Sequence, residues 1–309
     1  MRLIIAGLFS LFLFTCLSFQ PELEWEDVTS DHEPILNVMA LLSADSLVTS
    51  FVKVHRSLQM DEAADTLVRD TLESGEIWIH YASRFVVRDA EVIVSDGENE
   101  YIFEYTDFAE DNGDTVFSEL YLYNGDDLNP QPGETWDISI TTPGGLSVNG
   151  ETTIPPVPQL YKEELPDTFH VDQTMDISWQ TMTDNYQIIN AGNVLVYFFE
   201  DDYYENGNTD YACGLWQEEI ISPDEESWTY RRDICEDYFD LDWEEDVLLI
   251  NLMSMDNNYY DYFIRYAGDP EYSSLFLGQG GSGRSFGIED GIGVFGAIGI
   301  DRHYIPIAP

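Results

Sequence analysis

The sequence predicts a mainly β protein: two antiparallel β-sandwich domains, residues 34–158 and 159–309, with one short helix in the second. Three observations predict it. Short apolar runs recur between Asp96-Gly97, Asn112-Gly113 and Asn124-Gly125, dipeptides that turn hairpins. Pro155, Pro156 and Pro158 form a stiff break near the middle of a 309-residue chain, which is long enough for two domains. The third is a change of period inside 247–268. Leu248, Ile250 and Leu252 face one way and Val247, Leu249, Met253 and Met255 the other, a central strand covered on both sides. Beyond it, Tyr259 with Phe263 and Tyr260 with Ile264 are spaced four apart, a helical stripe. Asp256 stands at the N-cap position, Gly268 at the helix end and Pro270 just past it.

The first fifteen residues read as an address. Arg2 is a minimal positive region, and Leu3 to Phe14 is an apolar run of signal-peptide length, too short to span a bilayer. Leu13-Phe14-Thr15-Cys16 approximates a bacterial lipobox, so residues 1–15 are the expected signal peptide and Cys16 the lipidated mature N-terminus. The alternative is an ordinary secretory signal with an incidental cysteine. Residues 16–33 then form a polar tether, and the acyl chains on Cys16 would hold the protein to outer-membrane lipid. Acidic residues soon after the cysteine resemble export signals to the outer face; the periplasmic face is the other option.

In the first domain, ILNVMALL and SLVTSFVKV are apolar runs parted by Ser43-Ala44-Asp45. Met60 to Glu73 is polar and reads as a helix or a loop. IWIHY, AEVIVSD, EYIFEYTD and VFSELYLY follow as strands. Trp136, Ile138 and Ile140 alternate with Asp137, Ser139 and Thr141, a strand with one wet face. In the second domain Met175, Ile177 and Trp179 alternate with polar neighbours, an edge-type strand, while Val194 to Phe199 is apolar on both faces and reads as central. Near the end, Ile292, Val294, Ile298 and Ile300 recur at even spacing in GIGVFGAIGI. This reads as the closing strand, with glycines where something packs close.

Sixty acidic residues against 12 basic ones give a net charge of -48, which excludes a nucleic-acid-binding face. Residues 200–246 carry 18 acids and two bases, -16 over 47 residues, so this acidic insertion exceeds the chain's background. It holds Cys213 and Cys235, which in an exported chain form a natural disulfide pair; unpaired thiols are the alternative.

The order of AEVIVSDGENEYIF, PGETWDISITTPGGLSVNGETTIPPVP, LMSMDNNYYDYF and GIGVFGAIGI behind a lipoprotein signal resembles the bacterial surface-lipoprotein family called domain of unknown function 4249, over roughly residues 34 to 306. The resemblance implies an outer-membrane lipoprotein of immunoglobulin- or fibronectin-like sandwich units, often found beside TonB-dependent receptors. It carries over no activity and no binding residue. The acidic insertion has no counterpart in it.

No catalytic residue is assigned. Gly283-Arg284-Ser285-Phe286-Gly287 has the letters of a nucleophile elbow but not its strand–turn–helix frame, and His303 is the only later histidine. Gly278 to Gly283 matches a dinucleotide fingerprint without a β-α-β unit around it. His32, His55, His80, His170 and His303 have no zinc-type spacing. Asp201, Asp202, Glu205 and Asp210, with Asn206 and Asn208, offer oxygen ligands for calcium in a Gly-containing loop; a solvated acidic face is the plainer reading, and no other cofactor is expected. Tyr203, Tyr204, Trp216 and Trp228 in the insertion suit carbohydrate stacking or a protein interface, or simply anchor the loop. The expected function is a non-enzymatic surface lipoprotein, a binding or accessory module beside a TonB-dependent transporter. Its rivals are an adhesin or matrix-binding protein and a secreted hydrolase. The charge also predicts a salty habitat: the melting temperature should rise as salt is raised toward ~0.5 M, where self-repulsion is screened at contact range. A fall would refute that reading.

Overall fold

The computed structural model describes residues 33–59, 62–71, 77–111, 114–170, 173–182, 185–193, 217–231, 247–266 and 284–308. Pro34–Leu58 and Ala64–Pro309 make up one compact unit, which carries every strand and helix named below. A small second unit is described only at Glu33, Gln59, Glu62 and Ala63, where the Glu62 N–H donates to the Gln59 carbonyl at 3.0 Å.

The fold is mainly β, with antiparallel pairing dominant and one short helix. The first half supplies β1 (Leu36–Ser43), β2 (Phe51–Arg56), β3 (Asp65–Thr71), β4 (Ile77–Ser83), β5 (Glu91–Ser95), β6 (Glu100–Asp111), β7 (Asp114–Leu122), β8 (Thr135–Thr141) and β9 (Ser147–Thr153). The second supplies β10 (Phe169–His170), β11 (Thr174–Ser178), β12 (Gln187–Asn193), β13 (Gln217–Ile221), β14 (Ser227–Arg231), β15 (Val247–Met255), α1 (Asn257–Tyr260), β16 (Ser285–Phe286), β17 (Ile288–Glu289) and β18 (Ile292–Ala308). The expected alternation is realised in β8, whose Trp136, Ile138 and Ile140 are buried while the residues between them are exposed.

Two expectations change. The two halves share a sheet: one mixed sheet of 14 strands runs β13-β12-β15-β18-β1-β2-β7-β6-β5-β8-β9-β17 through both, with β10 and β16 beside β18, while β11 and β14 pair as a second sheet. The last apolar segment is therefore not a closing strand but the spine. Over Ile292–Ile298 it pairs parallel with β1, and over Ile298–Pro306 antiparallel with β15. The physical reason is its length. Seventeen residues reach about 55 Å at strand rise, enough to serve both halves in turn. Also, Met60 to Glu73 is not helical where described, since Asp65–Thr71 is a strand paired with β4. Its solvent-facing positions and its partner strand decide this, not its polar composition.

Three cores meet along β18. Phe295 and Ala297 join Val38, Val54, Val92, Phe103, Trp136 and Ile138 in the first half. Ile305 and Ile307 join Ile177, Trp179, Tyr230, Leu248 and Ile250 in the second. Val294 and Ile298 join Met253, Met255, Tyr259 and Phe263 between them. The second core is bounded on one side by the two-stranded β11–β14 sheet and on the other by β12, β15 and β18. β12 lies between β13 and β15, and β15, as expected, is interior between β12 and β18; Val194 to Phe199 lies outside the described residues. Within the acidic insertion, 217–231 forms β13 and β14, which join different sheets, so its middle third is framework rather than loop.

The proline segment is fastened down. The Ser254 hydroxyl donates to the Pro156 carbonyl at 2.5 Å, and the Leu160 N–H donates to the Asp301 carboxylate at 2.9 Å. Gly299, packed against Pro156 and Val157, leaves room for it. Among the glycines of β18, Gly293 is the one the backbone requires. Its φ is +115°, and a Cβ there would stand 1.9 Å from the Val38 carbonyl oxygen of β1.

Gly293→Ala should cost about 3 kcal/mol or more, from strain plus a clash with backbone that cannot yield. Gly145→Ala, at φ +86° in open space, should cost only about 1 kcal/mol. Urea unfolding of both variants separates contact from conformation; equal losses would remove the close approach as the reason.

Candidate functional site

The site grows out of the end of β15. Asp256 follows Met255 in extended conformation (φ -72°, ψ 171°) and caps α1, its carboxylate accepting from the Tyr259 N–H at 2.9 Å. The same carboxylate accepts from the Ala297 N–H of β18 at 3.1 Å and from the Thr152 hydroxyl of β9 at 2.7 Å. The Asp256 N–H donates in turn to the Ala297 carbonyl. One residue thus ties three elements. After α1 the chain tightens into a π-helical turn, Asp261–Arg265, which buries Tyr262 and Phe263 with Tyr259 over the third core.

Asn258 makes a second knot. Its amide donates at 3.0 Å to the Glu151 carbonyl of β9 and to the Phe295 carbonyl of β18. Gly287, at φ +64° between β16 and β17, must be glycine for this to happen. A Cβ there would stand 2.2 Å from the Asn258 amide nitrogen and 2.6 Å from the Glu151 carbonyl. The Gly287 carbonyl accepts from the Glu151 N–H at 3.0 Å, which brings β17 alongside β9.

Above these knots lies an open cleft of about 1020 Å³, lined among others by Pro155, Pro156, Asn185, Asp137 and Glu289. Its acidic lining is Asp137, Glu151, Asp256 and Glu289, and among the described residues no Lys, Arg or His lines it. Such walls repel anions and accept neutral polar or cationic groups. Burial pushes the Asp256 carboxyl up to about 6 in spite of hydrogen bonds from Thr152 and from the backbone of Tyr259, Ala297 and Asn258. A raised carboxyl in a cleft has the look of an acid catalyst. Here both oxygens are committed to the framework, so the shift follows from its structural position.

The predicted residues fall as follows. Cys16, Cys213 and Cys235, the calcium candidates Asp201, Asp202, Glu205 and Asp210, and the aromatics Tyr203, Tyr204 and Trp216 lie outside the described residues, as do Gly278 to Gly283. Trp228 is described. It stands opposite Ile177 on β11, half-buried against the second core with its ring 5.8 Å from Tyr230. Ser285 and His303 are not brought together. Ser285 pairs alongside Gly293 and donates to the Gly291 carbonyl at 2.6 Å, while His303 sits ten residues further along β18, about 30 Å away at strand rise. His55 is packed edge-on against Phe85, and burial, then Lys53 and Arg88, lower its pKa to about 4. Among the described residues, no three His, Cys, Asp or Glu side chains are grouped to hold a metal ion, and no helix is long and apolar enough to cross a membrane.

Asp256 was legible in the sequence as a cap. Asn258, Glu151, Gly287 and Asn185 were not, because they come from four distant segments. The only local signal was the run of polar residues after a buried strand.

Fold and site define a mainly β protein organised around one mixed sheet, with a rigid, acid-lined cleft where β9, α1 and β18 meet. The chain belongs to the family described as domain of unknown function (DUF4249), whose sequence profile matches residues 22–302. No curated protein matches it.

The pH dependence of stability follows from Asp256. Its carboxyl titrates higher folded than unfolded, so its contribution is full below about pH 4 and is lost as pH rises through about 6. Asp256→Asn, which keeps the Oδ1 acceptor for the Tyr259 and Ala297 N–H groups and can donate to Thr152, should gain on the parent by up to about 3 kcal/mol between pH 4 and 7. Asp256→Ala should lose about 2 kcal/mol or more at every pH, from the lost cap and the orphaned donors. Urea unfolding across pH checks both; a parent-to-Asn difference that does not move with pH would show that burial does not perturb the carboxyl.

Proposed function

We propose that this chain is a non-enzymatic, lipid-anchored outer-membrane surface protein, a binding or accessory module beside a TonB-dependent transporter, and that the β9–α1–β18 cleft is where it binds. The observation that carries the binding role is the cleft floor. Its strongest polar groups, the Asp256 carboxylate and the Asn258 amide, are already satisfied by the framework. A floor of that kind presents fixed shape and charge to a ligand and keeps no side chain back to attack one. The acidic rim selects a neutral polar or cationic group. The family and the Cys16 lipobox support the surface address.

The finer architecture belongs to the same reading: two immunoglobulin- or fibronectin-like sandwich units, 34–158 and 159–309, fused through β18. Separate cores in the two halves support it.

Crosslinking on intact cells followed by mass spectrometry tests the role. A co-captured outer-membrane β-barrel, lost when the exposed rim acids are reversed in Glu151→Lys/Glu289→Lys, is the expected result. Capture that ignores the rim would move the binding elsewhere on the surface. Turnover of esters or glycans by the purified chain would overturn the non-enzymatic reading.

A further inference from the structure

The hairpin β3–β4 stands apart from the three cores. Its strands pair with each other and with no other described strand, and none of its described side chains enters a core cluster. Of the ten large hydrophobic side chains that are exposed among the described residues, four lie on it. These are Leu67 (62 % exposed), Ile77 (48 %), Ile79 (58 %) and Tyr81 (76 %). The register sets Leu67 opposite Tyr81 and Arg69 opposite Ile79, and side chains directly opposite share a face. So one face of the hairpin shows three aliphatic side chains, a tyrosine and an arginine. Asp65, opposite Ser83 at the root, stands on the same face; among the five toward the tip there is no acid, in a chain that has 60 acidic residues. An exposed apolar face on a sheet of two strands calls for a partner.

Three observations choose the partner. The first is chemistry. Aliphatic side chains with a Tyr and an Arg suit the boundary between hydrocarbon and headgroups, where the ring and the guanidinium keep their polar ends wet. The second is charge. At -48, two copies of this chain repel each other, which disfavours self-association through any face. The third is where the N-terminal segment joins the fold. Ile35, at the start of the large unit, exchanges hydrogen bonds with Ser57, from its N–H to the Ser57 hydroxyl and from the Ser57 N–H to its carbonyl, both at 2.9 Å. Next along, the Arg56 N–H donates to the Phe85 carbonyl at 2.8 Å, and the Arg84 N–H to the Ala64 carbonyl at 2.7 Å, at the root of the hairpin. Chain entry and hairpin root are thus about three strand spacings apart, ~15 Å. The seven residues of β3 extend about 24 Å from that root, well within the ~60 Å that residues 17–33 can span at most.

We propose that the Leu67–Arg69–Ile77–Ile79–Tyr81 face of the β3–β4 hairpin lies in the interfacial layer of the bilayer to which Cys16 is anchored. The inference rests on the lipidation of Cys16 in the reading above. The hairpin is then a second, non-covalent contact that holds the body at a fixed attitude to the membrane and turns its acidic surface away from the lipid.

The test uses the full chain, expressed in cells that process lipoproteins and purified in detergent. Its N-terminal peptide is weighed for acyl chains on Cys16. The protein is then reconstituted into phosphatidylcholine vesicles that contain a diazirine-tailed phosphatidylcholine, and irradiated. Lipid adducts on the peptides of 65–71 and 77–83 are expected, falling about tenfold or more in Leu67→Asp/Ile79→Asp. That variant should melt with the parent, since both side chains are already in water. An acylated chain with adducts only near Cys16 overturns the hairpin contact and leaves the anchor standing. A chain without acyl groups overturns the anchor. Hairpin adducts in that chain would still support the surface, and their absence would overturn it. Dimers that the double variant dissociates would assign the face to a second copy and overturn the lipid assignment.

Discussion

One strand has to satisfy three cores, and most of this fold follows from that constraint. β18 is 17 residues long and changes partners at Ile298, which is opposite Ser43 of β1 and Met255 of β15 at once. Before that point the strand is parallel to β1, and a parallel pair needs a long crossover. Here almost the whole chain is the crossover, since β1 begins at residue 36 and β18 at residue 292. The two halves are bonded through backbone hydrogen bonds as well as packed, which favours their unfolding as one. The Arg302–Asp45 ion pair at 2.5 Å and the Lys162–Asp301 pair at 2.6 Å add links from the same strand to the β1–β2 turn and to the segment after the prolines.

Asp256 shows how such a junction is held and what holding it costs. The junction of β9, α1 and β18 leaves backbone N–H groups that no ladder satisfies. A carboxylate can accept several at once, and an N-cap needs an acceptor in any case. Burying that charge raises its pKa, and its four hydrogen bonds only partly offset the burial. His55 shows the opposite case. It is a half-buried ring held neutral, with its pKa lowered to about 4, so its contribution is lost as pH falls from 6.5 toward 4. Over the same window one group destabilises the fold on the acid side and the other on the alkaline side.

The surface divides by chemistry in a way that composition does not show. The cleft is lined by acids and amides, with no base among the described residues. The hairpin presents apolar residues and Arg69. A ligand drawn by charge goes to the first, and a surface that excludes charge meets the second. The residues that define both are spread along the chain and become neighbours only through strand pairing.

Local pattern was enough wherever a segment's neighbours in space are also its neighbours in sequence. Alternation identified β8 and β11, the change of period located the end of β15 and its capped helix, and family membership followed from the order of four short segments. Those features depend on backbone period and on capping, which act within a few residues. Where pairing reaches across the chain, pattern was silent or misleading. The evenly spaced Ile292, Val294, Ile298 and Ile300 described a strand but could not say that it is shared by two halves. The polar 65–71 hid a strand, because nothing in it needed burial. Asn258, Glu151 and Gly287 converge only because β9 and β18 are pressed together by cores on either side. The sequence by itself determined that the protein is β, acidic and a member of its family. Only the tertiary structure decided which strand is the spine and where the cleft lies, because those depend on hydrogen bonds between residues from several tens to more than two hundred positions apart.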